Sequence, residues 1–485
     1  MVQVPASCLV CRFLALAPIG TDIKANPWIV AVNQVGKVKE GSRETPVAGT
    51  FDVCVVGGGC TGVFAAVRAA RMGASVALVE RAGLFGGTAT AGLANVWHSI
   101  HDVEGKRQII GGLTWEVIER LRARGTLACR GEPGREVYVF HPAELATELD
   151  SLVLESGVCP FLHSHFASPV AERGRLSAIA IEDASGRRAI KAQNYVDATG
   201  DGCLVGRMGL PLRRRRAMQP PTTCFLLQGL DEIRKGDPEF SLADVVFDQG
   251  NPNALEPGFL WLSSVPGLSD ISMVAGTRVF GADCGDPDEL TRAEIEGRRQ
   301  VRRICDTLRS GHLPPGRDPL VALACSIGVR ESRHPRCLHT LKEREVLRGT
   351  SFPDAIANGT YRVDIHNPNG PGVVFRYLDG REERVSPGEV TASRWLPEGE
   401  ATASFYQIPY RSLVPTGSQN VLVAGRLVDA DRGAYGAIRV MVNCNQTGEA
   451  AGTASCIALK QEISVGDIDG DQLRGEMKRH GSIVL

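Results

Sequence analysis

The sequence predicts an α/β fold, with a largely parallel sheet interrupted by an inserted, mixed α+β segment. Three observations predict it. A β-branched strand, a glycine-rich turn, a helix and a second strand succeed one another within residues 51–80. Glycine, 55 of 485 residues, exceeds the usual share of about 7% and gathers at strand ends. Residues 220–410 then change character, to mixed strands, Pro/Gly turns and one strongly amphipathic helix.

Taken in order, residues 1–48 read as a flexible N-terminal extension. The moderately apolar stretch 6–19 is broken by Arg12 and lacks a preceding basic residue, which disfavours a signal peptide. Cys8 and Cys11 have no second Cys/His pair at a zinc-binding distance. The 14 cysteines scatter through apolar stretches, as reduced core residues of a cytoplasmic protein do. Residues 51–56 form the first strand and Gly57-Gly-Gly-Cys-Thr-Gly62 the turn. Residues 63–72 form a helix closed by Gly73, and 74–79 a second strand ending at Glu80. Helices follow over 113–124 and 144–156. A hairpin of 176–181 and 189–196 leads into Asp197-Ala-Thr-Gly-Asp201. The amphipathic helix spans 290–309, a buried strand 420–424, and a long helix rich in small residues 438–459. The domain expectation is 49–215 with 412–463 as one discontinuous domain, 216–411 as the insertion and 464–485 as a helical tail.

Composition excludes several classes. A net charge of −1 gives no electrostatic reason to expect nucleic acid. No apolar run approaches the ~18–20 residues of a membrane span. At 43% apolar and 22% charged, the chain is not disordered in bulk.

The motif Gly57-x-Gly59-x-x-Gly62 sits where its chemistry requires, after a strand and before a helix. Gly57 permits the tight turn, Gly59 lets the backbone approach a pyrophosphate, and Gly62 allows close helix–strand packing. The helix N-terminus favours the anion, and Glu80 is placed to accept ribose hydroxyls. Three later segments (Gly86-Gly87-Thr88-Ala-Thr90, Thr199-Gly200-Asp201 and Gly425-Arg426) also end strands in small residues. Several strand ends converging on one long ligand favour FAD over NAD, and so a Rossmann-like FAD-binding domain. No second strand–GxGxxG–helix unit occurs in residues 100–410, which argues against a built-in NAD(P)H domain.

On these segments, with Gly328-Val-Arg-Glu-Ser332, Tyr361-Arg-Val-Asp-Ile-His366, Ile408-Pro-Tyr-Arg411 and residues 423–458, the chain resembles a known family. It is similar to the FAD-dependent oxidoreductases of the glutathione-reductase-like superfamily, in the branch related to the flavin domain of heterodisulfide reductase. The resemblance implies that the last long helix points its N-terminal end at the isoalloxazine ring. Arg432 stands where similar sequences commonly have histidine, and Asp429 and Asp431 where they have Ser/Thr-type residues, so no role for that histidine carries over. There is no cysteine quartet for an iron–sulfur cluster and no closely spaced cysteine pair near residue 90, which argues against a cluster and against dithiol chemistry.

The expected cofactor site is Gly57, Gly59, Cys60, Thr61, Gly62, Glu80, Arg81, Gly87, Thr88, Thr199, Gly200, Asp201, Gly425, Arg426, Asp429 and Asn443, with no metal. The catalytic candidates are His366 as base, Arg330 and Arg333 as clamps for an anionic substrate or as interdomain ion pairs, Tyr406 beside the ring or in the core, and Arg439 near the flavin carbonyls. The expected reaction is hydride transfer between a small organic substrate and flavin N5. Electrons would pass to oxygen, a quinone or a carrier protein, and a homo-oligomer is compatible. The alternatives are a flavin monooxygenase, a carbohydrate-processing lyase and a non-catalytic electron-transfer flavoprotein.

Overall fold

The computed structural model describes residues 38–39 and 41–485. The expectations for residues 1–37, including Cys8 and Cys11, lie outside the described residues; of the stretch expected to be a flexible extension as far as 48, Val47 and Ala48 belong to the first strand. Residues 43–485 form one contact unit.

Its centre is a seven-stranded sheet. Strand β1 (Val47–Val56) leads through a glycine turn into helix α1 (Cys60–Arg71) and strand β2 (Val76–Val79). β1 pairs in parallel with β2, and β2 in parallel with β3 (Cys159–Phe161). A meander of β4 (His165–Glu172), β5 (Arg175–Asp183) and β6 (Gly186–Asp197) returns the chain to β1, beside which β6 runs parallel. β6 spans 12 residues and serves two neighbours on its other edge. Its first half pairs with β5, and Tyr195–Asp197 pairs in parallel with β7 (Val421–Val423).

The central strands read as unbroken apolar runs because both faces are covered. Successive residues point to opposite faces. Val53 and Val55 join the large core beneath α1, whereas Cys54 and Val56 join the core under the meander. Leu78 and Val196 follow the first pair, Ala77, Val79 and Tyr195 the second. The helices expected over 113–124 and 144–156 are Gly112–Ala123 and Pro142–Glu155, the latter started by a proline at its first position.

The segment 216–411 contributes an antiparallel sheet of Trp261–Ser264, Ile271–Ala275, Phe225–Gln228 and Leu320–Leu323. The amphipathic helix Pro287–Gly311 buries Val301, Ile304, Cys305 and Leu308 in the core beneath that sheet. A four-stranded meander, Val363–His366 through Glu389–Arg394, follows.

One element departs from expectation. The helix expected over 438–459 is two helices, Arg432–Ile438 and α2 (Met441–Gln461). Between them Val440 is extended (φ −70°, ψ 148°), and the amides of Asn443 and Cys444 turn back to its carbonyl at 3.1 Å. The break gives α2 a fresh N-terminus. α2 then crosses α1 at backbone contact, where a Cβ on Gly448 or Gly452 would lie 2.1 Å from Thr61 O or 2.3 Å from Ala65 O. That crossing lies under the glycine turn and fixes its height.

Candidate functional site

The turn between β1 and α1 is shaped by contacts that only glycine permits. Gly57 has φ +106°, and a Cβ there would sit 2.5 Å from Ala198 O. At Gly62 a Cβ would sit 1.8 Å from Gly57 O, so α1 starts directly against the loop. Gly59 is the opposite case: a Cβ there meets nothing within 4 Å. The loop is closed by Gly86, whose amide donates to Gly58 O at 2.8 Å. Glu80, at the end of β2, accepts from the Gly58 amide at 2.6 Å and the Ala82 amide at 2.8 Å. A carboxylate has about four acceptor positions, so two amides hold it in place without exhausting it.

A cavity of about 870 Å3 opens over this turn, toward the upper end of the range for ligand sites. Gly57, Gly59, Cys60, Thr61, Glu80 and Arg81 line its outer end, with Gly87 and Thr88 beside them. Thr199, Gly200, Asp201, Gly425 and Arg426 line its flank. Arg426 spans that flank, donating to Val329 O at 2.7 Å and lying 3.4 Å from Asp201 Oδ1. Four segments far apart in sequence thus converge on one cavity. Asp197 organises the third of them from beneath. Fully buried, it accepts from the Thr199 hydroxyl at 2.7 Å and from the Leu204 and Val205 amides at 3.0 Å.

The remaining expected cofactor residues lie off the lining. Gly62 packs beneath the turn. Asp429 is fully buried, pairing with Arg213 and accepting from Cys337 N and Thr340 Oγ1 at 2.9 Å. Asn443 donates to the Tyr406 hydroxyl at 2.7 Å, and that hydroxyl donates to Ala437 O at 3.0 Å. Tyr406 is therefore a core residue that ties α2 to the preceding helix. Arg333 turns to Gly285 O at 2.6 Å, and Glu331 is buried against His334 at 3.0 Å and Arg215 at 3.0 Å. Burial works against the charge of Glu331, but the His334 hydrogen bond and Arg215 hold its carboxyl below the usual range.

Arg330, His366 and Arg439 do reach the cavity, at its inner end. They meet residues that the sequence did not single out: His98, Arg278, Arg362 and Asp364. Asp364 accepts from the Tyr361 hydroxyl at 2.9 Å and from Arg439 at 3.2 Å, and its other oxygen lies 3.3 Å from His366 Nε2. Arg330 donates to Pro220 O at 2.5 Å and Thr222 Oγ1 at 2.6 Å. Arg278 donates to Thr222 Oγ1 at 3.0 Å, Thr277 O at 2.6 Å and Phe259 O at 2.7 Å. Burial, reinforced by Arg330, Arg278, Arg439 and Arg362, pushes His366 well below its ordinary value. Burial and then Arg362 take His98 down to about 4. Both imidazoles are neutral near pH 7. The signal for Arg362 and Asp364 was present: residues 362, 364 and 366 alternate as the exposed-to-cavity positions of a strand do.

FAD fits these residues. Open space over Gly59 leaves room for a pyrophosphate on backbone amides at the start of α1. At the other end Asn445, in the first turns of α2, is fully buried with neither side-chain amide atom partnered, and it lines the cavity. Such a group is costly unless a ligand satisfies it. Cys60 and Cys444 also line the cavity, and burial pushes both thiols up to about 12, so neither is a thiolate near neutrality.

Among solved structures the chain is similar to a geranylgeranyl bacteriochlorophyll reductase-like protein from Thermoplasma acidophilum, with 11% identity, 89% of this chain and 83% of that chain covered, and a TM-score of 0.42. It is similar to a flavoprotein/dehydrogenase from Cytophaga hutchinsonii, with 11% identity, 89% and 84% covered and a TM-score of 0.40. A third is p-nitrophenol 4-monooxygenase from Pseudomonas putida, with 11% identity, 86% and 82% covered and a TM-score of 0.39. No curated protein matches the chain. The family profile described as FAD dependent oxidoreductase matches residues 52–477. With the cradle for a dinucleotide in place and nearly the whole described chain matched, the protein belongs to the FAD dependent oxidoreductase family and its cofactor is FAD.

Proposed function

We propose that the protein oxidises a small organic substrate by hydride transfer to FAD, with His366 taking the accompanying proton. The observation that carries this reading is the neutral His366 at the inner end of the cavity, 3.3 Å from Asp364. When bound, FAD supplies the two-electron acceptor. The outer residues Gly57, Gly59, Thr61 and Glu80 would hold its pyrophosphate and ribose, and Arg439, Val440 and Asn445 at the start of α2 would face its ring. As hydride leaves a substrate carbon, an adjacent O–H or N–H loses its proton to the imidazole, leaving C=O or C=N. Asp364, whose free oxygen lies 3.3 Å from Nε2, favours the charged form of the imidazole once the proton arrives. Half-buried Tyr361 and His98, their ring centroids 4.3 Å apart and tilted by 59°, form part of the wall at this end. The two electrons then pass to an external acceptor, since residues 100–410 contain no second nucleotide-binding motif. The free cysteines of the described chain fit a reducing, cytoplasmic location.

The test is anaerobic stopped-flow reduction of the bound flavin by a turned-over substrate. His366→Gln should slow reduction by roughly 10²–10⁴-fold while FAD content stays at the parent level. Reduction at the parent rate would remove His366 from the role of base.

A further inference from the structure

The inner end of the cavity carries more positive charge than the protein neutralises. Four arginines line it: Arg278, Arg330, Arg362 and Arg439. The carboxylate among them is Asp364, which pairs with Arg439 at 3.2 Å and His366 at 3.3 Å. Among the described residues, Arg278, Arg330 and Arg362 form no ion pair. The other acids of the lining are engaged elsewhere: Asp201 faces Arg426 at 3.4 Å, and Glu294 pairs with Arg298 at 3.0 Å. Glu80 stands at the far end, bound to the loop amides.

These arginines are also largely withdrawn from solvent, Arg278 buried and Arg330, Arg362 and Arg439 partly so. Arg278 is 9% exposed and its hydrogen bonds go to carbonyls and a hydroxyl. The Nε–H groups of Arg362 and Arg439 are buried without a partner. Arg362 lies 4.0 Å over the Phe375 ring, a contact that offsets only part of its desolvation. Burial and the neighbouring Arg278 and Arg439 push Arg330 well below its ordinary value, as expected where like charges crowd. A buried, uncompensated charge is strongly destabilising unless an opposite charge joins it. FAD answers for little of this. Its pyrophosphate belongs to the glycine turn, and Arg439 is already answered by Asp364 at 3.2 Å. Arg278, Arg330 and Arg362, all from segment 216–411, remain.

Resting on the oxidoreductase reading above, we propose that the substrate is an organic oxyanion, a small di- or tricarboxylate held by Arg278, Arg330 and Arg362 with its reacting carbon toward His366. Guanidinium groups bind carboxylates through paired, charge-assisted hydrogen bonds, and the free Nε–H of Arg362 supplies a donor that no protein group uses.

The test uses the FAD-loaded protein and the visible flavin spectrum. Malonate, succinate and citrate are titrated in parallel with malonamide and succinamide, which match the first two in shape without the charge. The expected result is a saturable spectral change and a raised Tm with at least one acid, the amides binding at least tenfold more weakly. Arg330→Gln should weaken that acid at least tenfold, and Arg330→Lys should restore part of the loss. The inference is overturned if FAD is bound and neither spectrum nor Tm responds to any acid, or if acids and amides act alike. Loss of FAD from the parent protein would instead undo the oxidoreductase reading itself. The acid–amide comparison needs no variant, so a failure of Arg330→Gln to fold leaves it intact.

Discussion

Gly59→Ala separates the cofactor from the fold. At this position φ is −61° and ψ is 168°, a conformation open to any residue, and an added Cβ meets no heavy atom within 4 Å. Two small effects on the apoprotein oppose each other. Alanine is a poorer residue than glycine before a helix, and it lowers the entropy of the unfolded chain. Apoprotein stability should therefore change by no more than about 1 kcal/mol. The methyl group enters the space that a pyrophosphate needs to reach the amides of α1. Losing one charge-assisted hydrogen bond costs about 1.5–3 kcal/mol, so FAD should bind roughly 10- to 100-fold more weakly. Gly62→Ala is the contrast. Its Cβ would lie 1.8 Å from Gly57 O, and overpacking of that kind costs about 1–3 kcal/mol in the apoprotein itself. Denaturant unfolding of both apoproteins and fluorescence titration with FAD give the two quantities. A Gly59→Ala variant that binds FAD like the parent, or that loses as much apo stability as Gly62→Ala, would refute the cradle geometry.

Other outcomes follow from the same contacts. Glu80→Gln replaces an acceptor of two amides, at 2.6 and 2.8 Å, by a group with one acceptor oxygen. It should cost about 1 kcal/mol of stability and weaken FAD, both read by titration of the apoprotein. Glu449 lies buried in α2, accepting from Arg68 at 2.6 Å, Leu113 N at 3.0 Å and Ser482 at 3.2 Å. Glu449→Ala strands Arg68 and should cost about 3–5 kcal/mol, seen as a lowered urea midpoint. His98, held near 4 by burial and then Arg362 against 6.5 for the free side chain, makes stability depend on pH. The unfolded chain takes up this proton as pH falls through 6.5, and the folded chain resists until about 4. Stability present above pH 6.5 should thus fall by about 3 kcal/mol as pH drops across that window. Unfolding of His98→Gln as a function of pH should show a shallower decline.

The outer end of the site was legible in the sequence because its chemistry is local. Gly57, Gly59 and Gly62 are spaced by the turn they must make, and Glu80 by the length of one βαβ unit. The inner end was not legible in the same way. His98, Arg278 and Arg362 come from three segments that meet only in the folded chain, and of the three only Arg362, in alternation with Asp364 and His366, carries a local signal. Arg330 was found among a run of charges, but the backbone sends alternate side chains to different places. Arg330 faces the cavity, Glu331 goes to His334, and Arg333 goes to Gly285. Asn443 and Tyr406 show the complementary failure. A residue near a helix start is not thereby turned toward the ligand, and these two spend their hydrogen bonds joining the helices on either side of Val440. The extended Val440 itself is invisible to helical periodicity, since small and apolar residues continue on both sides of it.

The most direct measurement is anaerobic titration of the purified, FAD-loaded protein with small carboxylic acids bearing an adjacent hydroxyl or amino group. The visible flavin band should bleach in proportion to added substrate, the keto or imino product should appear in equal amount, and the band should return when an electron acceptor is admitted. Turnover of a substrate by the flavin-free protein, or a flavin band that no such acid bleaches while a neutral substrate does, would contradict it.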